Sequence, residues 1–103
     1  MRYEIILAPE AVEDLSRLLS SHRAEVRDAL ETHLRHQPDR TSKTRIKRLR
    51  SLSHPQFRLR VGESRVFYDI AGDSVQVLAV VPKSEAAAWL EAWGEADETN
   101  TID

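Results

Sequence analysis

Three arginines, Arg58, Arg60 and Arg65, alternate with apolar residues on either side of a Gly62-Glu63 pair. The spacing is that of a β-hairpin closed by a two-residue turn. Phe57 then faces Tyr68, Arg58 faces Phe67, Leu59 faces Val66 and Arg60 faces Arg65. Because strand side chains alternate, this register predicts an apolar face of Phe57, Leu59, Val66 and Tyr68 and an opposite face that carries the arginines. Like charges opposed on a sheet cost on the order of a few tenths of a kcal/mol, and an anion between Arg60 and Arg65 would remove that cost. The planar guanidinium fork matches phosphate oxygens and stays protonated when crowded by other cations, so the trio can clamp a phosphate.

The hairpin belongs to a longer basic stretch. Between Arg40 and Arg65 lie nine basic residues, including Lys43, Arg45, Lys47, Arg48 and Arg50, against one acid, Glu63, for a net charge of +8. The other six basic and sixteen acidic residues give −10, so the total of −2 conceals two opposite halves. A field near a surface is set by its neighbouring charges, and this segregation points to a local anion-binding face able to hold nucleic-acid backbone. With no cysteine among 103 residues, a disulfide framework and thiol chemistry are excluded. The histidines, His22, His33, His36 and His54, lack companion cysteines or an HExxH spacing, and no metal or other cofactor is expected. His33 reads as a packed or rim histidine and His54 as a turn residue before Pro55. No apolar run approaches the length of a membrane span, so a soluble, cytoplasmic chain with no membrane contact is expected.

A chain of this length supports one core, with the elements in the order β-α-α-β-β-β-α. Residues 2–7 alternate as a strand. Pro9 then opens a short helix with an apolar line of Val12, Leu15, Leu18 and Leu19. Ser20-Ser21 offers a cap for a second helix built on Val26, Ala29, Leu30 and Leu34, closed by Pro38. A polar connector leads to an extended or irregular segment at residues 45–50. Strands follow at 56–61, 64–70 and 75–81, with Val77 expected beside Tyr68 and Ala79 beside Val66. Ser84 can cap a last helix with Ala86, Trp89, Leu90 and Trp93 on its apolar stripe. The expected class is α+β, with a helical hairpin packed on an antiparallel C-terminal sheet. Residues 1–93 form the domain, and 94–103 an acidic, disordered tail.

The run from Phe57 through Arg58, Arg60 and Arg65 to Ile70, followed by Val75 to Val81, resembles the RelE/ParE superfamily of toxin–antitoxin toxins, its RelE branch most closely. Tyr3-Glu4-Ile5, Pro9-Glu10-Ala11, the helical hairpin and Lys47-Arg48-Leu49 extend the resemblance over residues 2–93. It implies a RelE-like fold and a ribosome-dependent mRNA endoribonuclease that uses the 2′-hydroxyl of its substrate and needs no cofactor. It also implies a cognate antitoxin, with which a hetero-oligomer can form. Carried over by residue, Arg58 and Arg60 orient the phosphate, while Arg65 and Lys83 stabilise the phosphorane. Lys43, Arg45, Lys47, Arg48 and Arg50 hold RNA backbone, and Trp89 is available to stack on a base. RelE-type toxins often place a tyrosine on the closing segment; here it reads Lys83-Ser84-Glu85-Ala86-Ala87-Ala88-Trp89. Two other roles fit the same fold: a ParE-like inhibitor of DNA gyrase, and a weakly catalytic toxin acting through antitoxin binding and autoregulation.

Overall fold

Residues 57–82 build the centre of the sheet, with inward and outward side chains alternating in the first strand and both faces covered along much of the second. In the computed structural model, which describes residues 1–96, three long strands form there: β4 (Phe57–Val61), β5 (Ser64–Ala71) and β6 (Ser74–Pro82). Ahead of them come β1 (Glu4–Leu7), α1 (Pro9–Ser16), α2 (Ser20–Leu34), β2 (Ile46–Arg48) and β3 (Leu52–His54). After them, a 3-10 turn (Lys83–Glu85) leads into α3 (Ala86–Trp93) and β7 (Glu95–Ala96). The main sheet runs β1-β6-β5-β4-β2, with β1 parallel to β6 and every other pair antiparallel. The α+β class and the order of the long elements follow the sequence expectation.

Gly62, at φ +55°, closes the β4–β5 turn in the left-handed region that side chains avoid. The register it sets is the expected one, with Phe57 opposite Tyr68 and Arg60 opposite Arg65. The next pairing departs from expectation. Val77 lies beside Tyr68, but Ala79 pairs with Phe67 and Val80 with Val66, so Leu78 is an extra residue in a bulge. The bulge brings Val80 to the helix-covered face and turns Ala79 and Val81 to the other. Val80 lies past the end of β1, and its N–H donates instead to Asp14 Oδ2 of α1 at 2.9 Å.

Helices α1 and α2 cover one face, burying Ala11, Leu15, Val26, Ala29, Leu30 and Leu34 over Leu59, Val66, Tyr68 and Val77. The inward line of α1 is therefore Ala11 and Leu15, whereas Val12 and Leu19 are exposed, because Asp14 must face the sheet to reach Val80. Neither Ser20 nor Ser84 caps a helix; the residues at those positions are Leu19 and Glu85. On the other face α3 packs Ala86, Trp89 and Leu90 against Phe67, Ala79 and Val81.

Both outer strands carry plugs. The backbone groups of Ile46 that point away from β4 end on Ser42, whose N–H donates to Ile46 O at 3.0 Å and whose Oγ accepts from Ile46 N at 3.4 Å. Just ahead of β1, Tyr3 N–H donates to Arg35 O at 2.7 Å, and Arg35 Nη1 returns a bond to Tyr3 O at 2.9 Å. The segment at 45–50, expected to be extended or irregular, contributes β2 to the sheet. The segment expected to be an unstructured tail begins with β7, which pairs with β3. The rest of that segment lies outside the described residues.

Candidate phosphate-binding site

Two rows of side chains cross the α3 side of the sheet. In the first, Lys47 of β2, Arg58 of β4 and Phe67 of β5 are paired in register. In the second, Arg60 pairs with Arg65, and Arg65 with Val81. The rows are about 7 Å apart, two residues along an extended strand. Lys83 follows β6 at the turn end of the second row, where its N–H donates to Glu63 O at 2.7 Å.

The face is only partly cationic. Phe67 is fully buried, stacked on Trp89 at 4.8 Å between ring centroids and 3° between planes. The expected register already set Phe67 opposite Arg58 on this face; α3 needs an apolar partner there, and Phe67 with Ala79 and Val81 supplies it. The cations are left towards β2 and the Gly62 turn. Trp89 is half-buried with one ring face against Phe67, so only its other face is free for a base.

The arginines differ in environment. Arg65 is 6% exposed, and its Nη1 donates to Gly62 O and Ser64 O, both at 2.9 Å, which pins it under the turn. Arg60 is exposed. Arg58 is half-buried, and its Nε is buried without a hydrogen-bond partner. Burial, and then the charges of Arg65 and Arg60, push the Arg58 guanidinium below the usual arginine range. Among the described residues the ion pairs are Glu13–Arg17, Glu31–Arg35, His54–Asp69 and His54–Glu95, none of which involves a lysine or arginine of the basic stretch. The cluster is short of negative charge, a state that an incoming anion relieves.

The remaining basic residues divide. Lys47, Arg48 and Arg50 line one cavity of about 570 Å³ beside β2. Arg48 is largely committed to the chain: it lies 5.3 Å over the Phe57 ring and its Nη1 donates to Leu49 O and Gln56 O. Arg45 Nη1 donates to Arg60 O at 3.2 Å, and Lys43 is exposed on the connector.

Two other polar side chains near the sheet are structural. Tyr68 is fully buried on the helix side, donating to Pro38 O at 2.5 Å, and burial raises its phenol far above the usual range. His54 Nδ1 is bonded to Asp69 Oδ2, and Asp69 Oδ1 accepts from Gln56 N at 2.7 Å. Asp69 is four residues along β5 from Arg65, about 13 Å of strand, which keeps His54 away from the cluster. Sequence reasoning missed this Asp69–His54 latch; its only signal is an acid between Tyr68 and Ile70 inside a strand.

The architecture is shared with solved toxin–antitoxin proteins. A chain of the RelBE2 toxin–antitoxin complex from Mycobacterium tuberculosis is 26% identical, with 80% of this chain and 99% of that chain covered at a TM-score of 0.68. A chain of the archaeal RelE–RelB complex from Pyrococcus horikoshii is 25% identical, with 81% and 97% covered at a TM-score of 0.60. A mutant of the Escherichia coli toxin RelE in its free state, 21% identical with 89% and 95% covered, shares the fold at a TM-score of 0.67. No curated protein matches. Residues 5–87 match the ParE toxin family of type II toxin–antitoxin systems, parDE, and the chain belongs to that family. It is a type II toxin with the RelE/ParE fold.

Proposed function

We propose that this toxin is a ribosome-dependent mRNA endoribonuclease whose contact with the scissile phosphate is the Arg58 cluster. The observation that supports the reading is Arg58 itself: a half-buried guanidinium with an unpartnered Nε, flanked by Arg60 and Arg65 and without a counter-ion among the described residues. In the reaction the substrate 2′-oxygen attacks the adjacent phosphorus, the 5′-oxygen leaves, and a 2′,3′-cyclic phosphate remains. Negative charge grows on the non-bridging oxygens, where fixed cations in a water-poor site lower the barrier. Arg58 and Arg60 orient the phosphate, Arg65 adds its field from beneath the turn, and Lys83 meets the leaving side. Proton transfer from the 2′-hydroxyl falls to water or to the ribosome, because His54, the histidine of the basic stretch, is held by Asp69.

That last point favours one second reading, inhibition of DNA gyrase without RNA cleavage, since a clamp alone suffices to hold a polyanion. In either role a cytoplasmic antitoxin is the natural inhibitor. RelB–RelE complexes provide the analogy, and an acidic or amphipathic segment that folds on binding would neutralise the cationic face. Primer extension on an mRNA under translation should reveal cuts with wild-type protein, reduced about 10²- to 10³-fold by Arg58→Ala. Intact mRNA together with lost gyrase supercoiling would replace the first reading with the second.

A further inference from the structure

Between the end of α2, the connector and β2 lies a cavity of about 550 Å³ that the clamp does not use. His33, His36, Arg40 and Arg45 line it with the neutral Thr32, Gln37 and Ser42, and with Met1 and the apolar Ile46, and no carboxylate does. Each cationic residue keeps hydrogen-bonding capacity. Arg45 Nη1 donates to Arg60 O and Arg40 Nη1 to Gln37 Oε1 at 3.0 Å, leaving the other guanidinium nitrogens of both. Ser42 Oγ accepts from Arg45 N at 3.0 Å and Ile46 N at 3.4 Å, so its own proton remains to be donated. His36 Nδ1 is 3.3 Å from Met1 O, and Nε2 is its other nitrogen.

The acids nearby are engaged elsewhere or face other groups. Glu31 is paired with Arg35, with Arg2 and His36 further off, and Asp39 acts on Tyr68 across the connector. Burial and then Arg45 hold the His33 imidazole below its ordinary value, as in a pocket short of negative charge. His33 stands in the last turn of α2, where a protonated imidazole is favoured once its cationic neighbours are neutralised. The cavity also adjoins the clamp: Arg45 lines it, while its carbonyl accepts from Arg60 N at 2.8 Å.

We propose that this cavity is a second phosphate subsite, which takes a backbone phosphodiester of the same RNA strand held at Arg58 and Arg60 and binds it more tightly as His33 protonates. The inference rests on the RNA reading given above. A phosphodiester carries one charge at any pH near neutrality, so pH dependence in its binding reports the protein. The cavity extends the grip of the clamp along the strand without reading bases.

The test uses the full chain and a short 2′-O-methyl oligouridylate, which lacks the nucleophile and is not cut. On titration, the His33 and His36 ring resonances should shift together with the side chains of Arg58 and Arg60. Affinity should rise about twofold between pH 7.5 and pH 6 for a half-unit increase in one imidazole pKa, on the way to a limit of about threefold at lower pH. The exposed substitution Arg40→Gln should reduce the slope of log affinity against log salt by about 0.7, the value for one lost single-strand phosphate contact. Shifts confined to Arg58 and Arg60, with silent histidines and an unchanged slope, would overturn the subsite alone. No shift anywhere would overturn it together with the RNA reading. Inorganic sulfate that fills the cavity as tightly as the oligonucleotide would show a free-anion site and overturn the backbone assignment.

Discussion

Replacing Arg58 with methionine should stabilise the free protein while removing its hold on phosphate. Arg58 Nε is buried without a partner, and a desolvated, unsatisfied polar group costs about 1–3 kcal/mol. Its neighbours Arg60 and Arg65 add repulsion of a few tenths of a kcal/mol each. Because the guanidinium is still partly solvated, screening reduces these figures, and a net gain of about 1 kcal/mol remains. Methionine keeps the packing of the arginine stem without the charge. In a domain of this size the gain corresponds to about 4–8 °C in Tm. Thermal unfolding at low and high sodium chloride separates the contributions, since the repulsive part shrinks as the screening length falls from about 10 Å at 0.1 M to about 3 Å at 1 M. The same 2′-O-methyl oligouridylate should raise the Tm of wild type and leave the variant unmoved. A variant less stable than wild type at low salt, or one whose Tm the oligonucleotide still raises, would refute the reasoning.

Asp14→Ala leaves Val80 N–H without an acceptor and should cost about 1–2 kcal/mol, seen in urea unfolding and in faster exchange of the Val80 amide. Trp89→Ala uncovers Phe67 and should cost about 2–3 kcal/mol, less than the truncation of a fully buried tryptophan; unchanged stability with weakened RNA binding would instead mark Trp89 as a stacking platform. For His33 the folded-state pKa lies below the ordinary 6.5, so the unfolded chain binds the proton more readily. Stability is therefore full above about pH 6.5 and declines as pH falls below it, and His33→Gln should flatten the urea midpoint between pH 7.5 and 5.5. Glu31, held down by its bond to Arg35, affects stability only at lower pH, beneath its ordinary 4.5.

The β4–β5 register was legible because apolar and arginine residues alternate strictly about Gly62, and a slip by one residue would put every arginine into the core. The same logic failed in β6. From Val77 to Val81 every residue is apolar, so the pattern prefers no register, and the bulge at Leu78 is set by tertiary demands: Asp14 meeting Val80 on one side, α3 needing Ala79 and Val81 on the other. Phe67 stood among the arginines as a visible anomaly, and the apolar stripe of α3 stood without a partner; joining the two would have found the second core. The uses of Arg45, Arg48 and Arg65 could not be read from the chain, because each guanidinium bonds to a carbonyl whose availability depends on the folded backbone. The strands β3 and β7 are too short to leave a periodic signature. The pocket around His33 and His36 was hidden for a related reason. Its residues come from a helix end, a connector and a strand edge, and only the fold brings them together.

The plugs on the outer strands bear on what happens when a toxin loses its inhibitor. A sheet whose margins offer free backbone groups invites its own copies to zip on, and the resulting fibre would remove the molecule from action. Here Ser42 occupies the open groups of Ile46 and Arg35 those of Tyr3, each with two bonds. Both stoppers lie within the chain, so they persist after a partner is degraded. They leave fewer groups at the margins of the sheet for a second copy to pair with.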